Sequence, residues 1–202
     1  MEISLPKTSN AEAISRPAEI HTCAPGECLH EAGDCGLAWR VVSGAIRLDS
    51  IEDEAQASSF AGLAIPGDIV GAESLLLGRC TFRATALTLT ELAPWPGEVQ
   101  PQPWQVLQVL AQTEQRAAKT IALRAGQAVD RVRRLVNLMV QPGSGNLLAV
   151  LPSLRDMADI TALTFETVSR SLSELQRRGL LEPEGQRRGR GKKTSRCHVL
   201  AR

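Results

Sequence analysis

The chain has 202 residues and 23 Lys+Arg against 22 Asp+Glu, a formal charge of +1. That length gives one large domain or two small ones with cores of their own, which excludes a single-motif peptide and a large multidomain enzyme. Apolar residues make up 43% but aromatics only 3%, with no Tyr, so stacking platforms for single-stranded nucleic acid or sugars are not expected. The neutral total is a sum of unlike parts: residues 1–150 carry 12 basic and 16 acidic side chains, residues 151–202 carry 11 and 6. A basic C-terminal quarter is hidden in it.

Five cysteines, Cys23, Cys28, Cys35, Cys80 and Cys197, follow a charged N-terminus without a secretory pattern. No run there is long enough for a membrane span. The expected setting is the cytoplasm, with thiols reduced.

Residues 1–18 are polar and without period, and are expected to form a flexible arm. From about 19 to 97, short apolar runs alternate with turn signals at Pro25-Gly26, Gly33-Asp34, Ser43-Gly44, Pro66-Gly67-Asp68 and Pro96-Gly97. Trp39–Val42, Ala45–Leu48 and Ala84–Leu89 are strand-length, and the turn spacing predicts an antiparallel sandwich or jelly roll. After Pro101-Gln-Pro103 the period becomes helical. Leu107, Leu110, Ala117, Ile121, Ala128, Val132 and Leu135 predict an apolar seam over 104–138, interrupted at Glu114 and bent near Gly126, that packs on a partner helix or else on the chain's own β domain. Pro142-Gly-Ser-Gly145 reads as a loop opening a second domain.

In 154–181, LRDMADITALTFETVSRSLSELQRRGLL, a helix Leu154–Ile160 places Leu154, Met157 and Ala158 on one face. A turn follows at Thr161-Ala162-Leu163, Thr164 is suited to cap a second helix, and Val168, Leu172 and Leu175 form that helix's buried stripe. Two short helices of this kind make a helix-turn-helix whose second helix lies in the DNA major groove. On its exposed face Glu166 can accept from cytosine N4, Arg170 can donate to guanine O6/N7, and Ser169 can bond a base edge or a phosphate; Thr164 and Thr167 flank them. Glu166 and Arg170 also have the spacing of an ordinary surface ion pair. Downstream, 187–202 holds seven basic residues and no acidic one. It predicts a β wing, or else a frayed basic tail, whose Arg187, Arg188, Arg190, Lys192 and Lys193 meet phosphates, contributing affinity rather than sequence choice.

With these residues in view, the chain resembles the CRP/FNR family of transcription regulators over about residues 19–200. The likeness rests on GECLHEAGDCGLAWRVVSGAIRL and PGDIVGAESLL in the first half and on FETVSRSLSELQRRGLL in the second, where Glu166, Ser169 and Arg170 match the E-x-x-S-R recognition helix of the FNR-like branch. The fold the resemblance implies is α+β: a flexible arm (1–18), a β-roll, cyclic-nucleotide-binding-like sensor domain (19–102), a dimerisation helix and hinge (103–140) and a winged helix-turn-helix (141–202). The implied function is a homodimeric, non-enzymatic regulator that joins through the 104–138 helix and binds double-stranded DNA at a palindrome near TTGAT-N4-ATCAA. Activation through contact with RNA polymerase and repression by occlusion are both open, and a signal in the roll would move the dimer helices and the bend near Gly126.

The sensor half departs from the pattern of cyclic-AMP binders. Ala72 stands at the expected ribose Glu, and Phe82-Arg83 near the phosphate-binding Arg-Ser pair, so cyclic AMP is not the expected effector; Gly71, Glu73 and Arg83 remain the candidate pocket. Cys23, Cys28, Cys35 and Cys80 are candidate ligands of a metal or iron–sulfur cluster, but they lie within the roll rather than in the arm where the family's cluster ligands precede it. Thiol redox sensing, haem held by His21, His30, Cys28 or Cys80, purely structural cysteines and control by expression alone are the alternatives. The rival from another class is a small-molecule-binding or enzymatic β roll with an oligomerising C-terminus, for which no catalytic arrangement is visible.

Overall fold

The computed structural model describes residues 19–52, 57–97, 102–140, 148–183 and 195–199. The first half is built of two four-stranded antiparallel sheets. One has the order β1-β8-β3-β6, from His21–Cys23 (β1), Ala38–Ser43 (β3), Ile69–Val70 (β6) and Thr90–Trp95 (β8). The other has the order β2-β7-β4-β5, from Cys28–His30 (β2), Ile46–Glu52 (β4), Ala57–Ala64 (β5) and Arg83–Ala86 (β7). A four-residue helix, Ser74–Leu77 (α1), follows β6. Alternating side chains fill the interior: Cys23, Val41, Ile46, Ala64, Val70, Ala84, Ala86 and Leu92 form its core. The antiparallel roll expected from the turn spacing is thus present. Its β3–β4 turn requires Gly44, at φ +83°, because a Cβ there would stand 2.4 Å from the Leu89 carbonyl oxygen. β7 ends at Ala86, short of the expected Leu89; Leu87 N–H then donates to Ala45 O, and the buried Thr90 hydroxyl bridges to Ala45 and Thr88.

The seam expected as one helix over 104–138 is two helices, Pro103–Ala122 (α2) and Ala128–Leu138 (α3). The break has a backbone cause, since Gly126 sits at φ +85°, a conformation no helix interior accommodates. The two halves of the seam go to different places. Leu107, Leu110 and Ile121 on α2 are exposed (66, 57 and 73%), whereas Val132 and Leu135 on α3 are fully buried among helices of the second half. The helical period holds on both sides of the break, but α3 packs with the C-terminal unit and not along the seam of α2.

That unit comprises α3, β9 (Leu148–Leu151), α4 (Leu154–Thr161), α5 (Phe165–Arg177), β10 (Leu181–Pro183) and β11 (Ser195–Val199). The three strands pair antiparallel in the order β10-β11-β9. The residues before 19, the 142–145 loop and residues 187–194 at the tip of the expected wing lie outside the described residues; β10 and β11 are its flanking strands. No helix among the described residues is long and apolar enough to cross a membrane.

The roll and the C-terminal unit share one apolar cluster. Ala45, Phe60, Leu63 and Leu87 from the roll join Leu123 of the hinge and Val132, Leu135, Met157, Ile160, Val168 and Leu175 beyond it. Its rim is built of arginines. Arg47 Nε donates to both Asp49 oxygens (2.8 and 2.9 Å) and its Nη1 donates to Asp159 on α4 at 3.2 Å. Burial opposes the Arg47 charge, yet hydrogen bonds and charge from Asp49 and Asp159 outweigh it and hold the guanidinium above its usual pKa. Arg124 lies over the same Phe60 ring as Arg47, at 5.1 and 5.8 Å, and donates to the Ile160 and Asp159 carbonyls. Arg131 donates to Gly126 O and Thr161 O, and Arg134 to Ala122 O and Ala125 O. Together these arginines satisfy carbonyls left open where α2 and α4 end.

The divided seam has a measurable consequence. Leu135→Ala is expected to cost about 2–5 kcal/mol of stability, whereas Leu107→Ala changes the stability of the isolated chain by no more than about 0.5 kcal/mol. Urea unfolding at low protein concentration distinguishes the two, and equal effects would contradict the split.

Candidate nucleic-acid interface

α4 begins at an N-cap, Ser153, whose hydroxyl accepts from Asp156 N–H at 3.1 Å. It ends at Ala162, which takes the left-handed conformation (φ 51°, ψ 49°) and turns the chain into α5. This is the tight turn expected at Thr161-Ala162-Leu163. Thr164 then caps α5 as its sequence position predicted, its Oγ1 accepting from Thr167 N–H at 3.2 Å. Met157, Ala158 and Ile160 of α4 and Val168, Ser171 and Leu175 of α5 are buried, with Leu154 and Leu172 packed against the cluster. With these faces inward, α5 turns Phe165, Glu166 and Arg170 to solvent, with Thr167 and Ser169 half-buried beside them.

The exposed face is polarised along the helix. Glu166 lies in the first turn, where its own backbone N–H, the Thr164 hydroxyl and then the Arg170 charge hold its carboxyl below the usual carboxylate range. Arg170 makes no hydrogen bond or ion pair with any described residue, so the surface-pair arrangement with Glu166 does not form as a direct contact. The last turn differs. Arg177 grips Glu174 with two nitrogens at 2.8 Å and Arg178 adds a third bond at 2.7 Å. Those bonds push the Glu174 carboxyl down to about 2. Arg177 and Arg178 are therefore internally satisfied, and Arg170 is the arginine of α5 with its donors open among the described residues. The sequence reading did not single out Arg155, which is exposed on α4, the helix that in this motif crosses the backbone. Only its burial pattern in the fold marks it. Arg187, Arg188, Arg190, Lys192 and Lys193 lie outside the described residues.

In the roll, two of the three candidate pocket residues already have partners. Gly71 is buried at φ +77°; Glu73 accepts from Thr81 N–H at 3.0 Å; Arg83 turns to Glu31 at 3.1 Å. Among the described residues, no three of the four candidate cysteines have their sulfurs within 4.8 Å of one another. Cys23 and Cys80 are buried and Cys28 and Cys35 exposed, with Cys28 Sγ donating to His30 O and Glu31. Burial first, then nearby negative charge, raises the thiols of Cys23 and Cys80, and burial raises Cys197 to about 11. Among the described residues, the side chains that do gather at metal-ligand distance are His21, Cys23 and Glu27. His30 is buried with neither ring nitrogen hydrogen-bonded to a described residue.

Comparison with known proteins places these features in context. Residues 131–190 match the model of the Crp-like helix-turn-helix domain. The chain is 32% identical over 174 residues to the nitrogen fixation regulation protein FixK of Rhizobium meliloti (strain 1021), covering 83% of this chain and 80% of that one. Among solved structures it is similar to FixK2 from Bradyrhizobium japonicum (TM-score 0.64, 23% identity, 91% of this chain and 93% of that one). It is equally similar in fold to TTHB099, a CRP-family transcriptional regulator from Thermus thermophilus (TM-score 0.64, 23% identity, 90% and 92%).

The charge arrangement on α5 can be read by carboxyl-detected NMR titration. Glu174 should titrate at about 2 and Glu166 below the ordinary carboxylate value. Because both are depressed in the folded chain, what they add to stability is present above the unfolded carboxylate range and is lost as pH falls through their folded values. Arg177→Ala should move Glu174 up and leave Glu166 in place; a Glu174 that titrates normally in the intact chain would refute the assigned bonds.

Proposed function

Because the chain belongs to the CRP/FNR family of transcription regulators, whose members are DNA-binding proteins and not enzymes, we propose that it binds a palindromic DNA site as a homodimer. In this reading α5 enters the major groove of each half-site from its N-terminal end. Arg170 donates to guanine O6/N7, Glu166 accepts from cytosine N4, and Ser169, Thr164 and Thr167 bond a base edge or phosphates. The observation that carries it is the contrast on α5: Arg170 is exposed with its donors open, while Arg177 and Arg178 are tied to Glu174. The ionised Glu166 beside it supplies an acceptor of the opposite kind, which favours reading base edges over uniform attraction to phosphate. The match to E-x-x-S-R favours half-sites like TTGAT. The basic wing residues Arg187, Arg188, Arg190, Lys192 and Lys193 add affinity through phosphates.

The dimer reading is supported by the stripe Leu107, Leu110, Ala117 and Ile121, an exposed apolar face on a 20-residue helix. A second copy of the helix covers it, with the two recognition helices then about one DNA turn apart. A signal received in the roll reaches the DNA through the shared cluster and through Arg47 and Arg124, which join β4 and the hinge to α4. Contact of the dimer with RNA polymerase would turn binding into activation. Gly71, Glu73 and Arg83 remain the candidate effector residues, each already engaged within the roll or, for Gly71, buried in it, so an effector there would have to exchange contacts with Thr81 and Glu31.

Footprinting on symmetric half-site variants tests the reading. Arg170→Ala should cost about 1–3 kcal/mol and relax preference at one base pair, whereas Lys192→Ala should weaken all sequences alike and reduce the salt slope by about 1. Unchanged half-site preference in the Arg170 variant would overturn the base-reading assignment. Leu107→Asp should shift the chain to monomer in sedimentation and weaken binding to the full palindrome far more than to one half-site.

A further inference from the structure

At the edge of the roll, away from the DNA-reading surface, three ligating side chains converge through local geometry. His21 and Cys23 are two residues apart on β1, so their side chains share one face of the strand. The turn after it folds the chain back: Glu27 N–H donates to Ala24 O at 2.9 Å, and Gly26 N–H is held by Ala86 O at 2.6 Å. Glu27 is thereby returned to the end of the strand, where its Oε2 accepts from Ala24 N–H at 2.7 Å. An imidazole nitrogen of His21, the Cys23 Sγ and a Glu27 carboxylate oxygen all lie within 4.8 Å of one another.

We propose that His21, Cys23 and Glu27 form a three-residue binding site for a divalent transition metal of the zinc class. Ligand atoms around one tetrahedral zinc stand about 3.4–3.6 Å apart. The trio, with no pair more than 4.8 Å apart, needs to contract by at most about 1.4 Å, which the exposed side chains of His21 and Glu27 can supply. One nitrogen, one sulfur and one oxygen form a borderline-soft donor set that suits zinc and not calcium or magnesium, which take oxygen ligands. The Ala24 N–H bond to Oε2 leaves Oε1 free and holds the carboxylate in place, as an outer hydrogen bond does for a metal ligand. Three protein ligands leave the fourth position of the ion open.

Cys23 supplies an independent observation. Its side chain is fully buried, yet its sulfur makes no hydrogen bond with any described residue. When a dication binds, the thiol proton leaves to solvent and the metal joins thiolate, imidazole and carboxylate. β1 is an edge strand of its sheet, and the His21 and Glu27 side chains beside the buried sulfur are exposed to solvent.

The test uses the full chain, without a metal-binding tag, reduced and stripped with chelator, and titrated with Co²⁺ and then Zn²⁺. One equivalent of cobalt should produce a thiolate-to-cobalt charge-transfer band that one equivalent of zinc removes. His21→Ala and Glu27→Gln, at exposed positions where the fold is retained, should each weaken cobalt binding by at least about tenfold. Cys23→Ser should abolish the band, with circular dichroism confirming an intact fold, and Cys35→Ser and Cys80→Ser should keep it. Absence of the band at one equivalent, its survival in Cys23→Ser, or indifference to both His21→Ala and Glu27→Gln would overturn the site.

Discussion

The architecture turns on a single apolar junction. Phe60, carried by β5, lies under two guanidinium groups, those of Arg47 from β4 and Arg124 from the hinge, and both arginines continue to α4. A planar cation can cover an aromatic face and still point its N–H donors outward, which an ammonium cannot do as well. The ring is thereby closed off from water, while the charges that cover it find Asp159 and two carbonyls on the neighbouring domain. Without this junction, Ala45, Leu63 and Leu87 of the roll and Leu123 of the hinge would expose apolar surface at the place where the two domains now share a core.

The hinge follows from the same constraint. Gly126 breaks the helix, and a broken helix leaves carbonyls without partners; Arg131 and Arg134 return from α3 to bond Gly126, Ala122 and Ala125. Arg131 also bonds Thr161 at the end of α4. The bend is therefore held by specific hydrogen bonds to the helix that scaffolds α5. β4, the hinge and α3 are thus each bonded to α4, the helix that precedes α5.

Charge has a different meaning at each place it occurs. Arg124, Arg131 and Arg134 serve backbone carbonyls, Arg47 serves carboxylates at the junction, and Arg177 and Arg178 serve Glu174. Arg170 alone among the arginines of α5 makes no hydrogen bond or ion pair with a described residue. Basic residues counted along a sequence cannot be sorted in this way, because an unpaired guanidinium and a satisfied one look the same until their neighbours are known.

Much of the design is nevertheless legible without coordinates. Turn signals at intervals of about ten residues mark the roll, since tight turns require residues such as Gly44 that accept unusual backbone angles. Thr164 before an amphipathic run marks the start of α5, because a cap is a local interaction between residues three apart. The buried stripe Val168, Leu172 and Leu175 follows from helical period alone. The relation between distant segments is not legible. The period that runs from Leu107 to Leu135 reads as one seam, yet only the fold sends Leu107 to solvent and Leu135 to the core, because periodicity states which face is apolar and not what covers it. Likewise His21 and Cys23 stand in the sequence as candidates for different groups, and Glu27 as no candidate at all, until a strand and a turn bring the three to one point. Local chemistry, acting over a few residues, is determined by the sequence itself; which apolar face meets which, and which arginine is left free, is decided only by tertiary packing, where partners come from far along the chain.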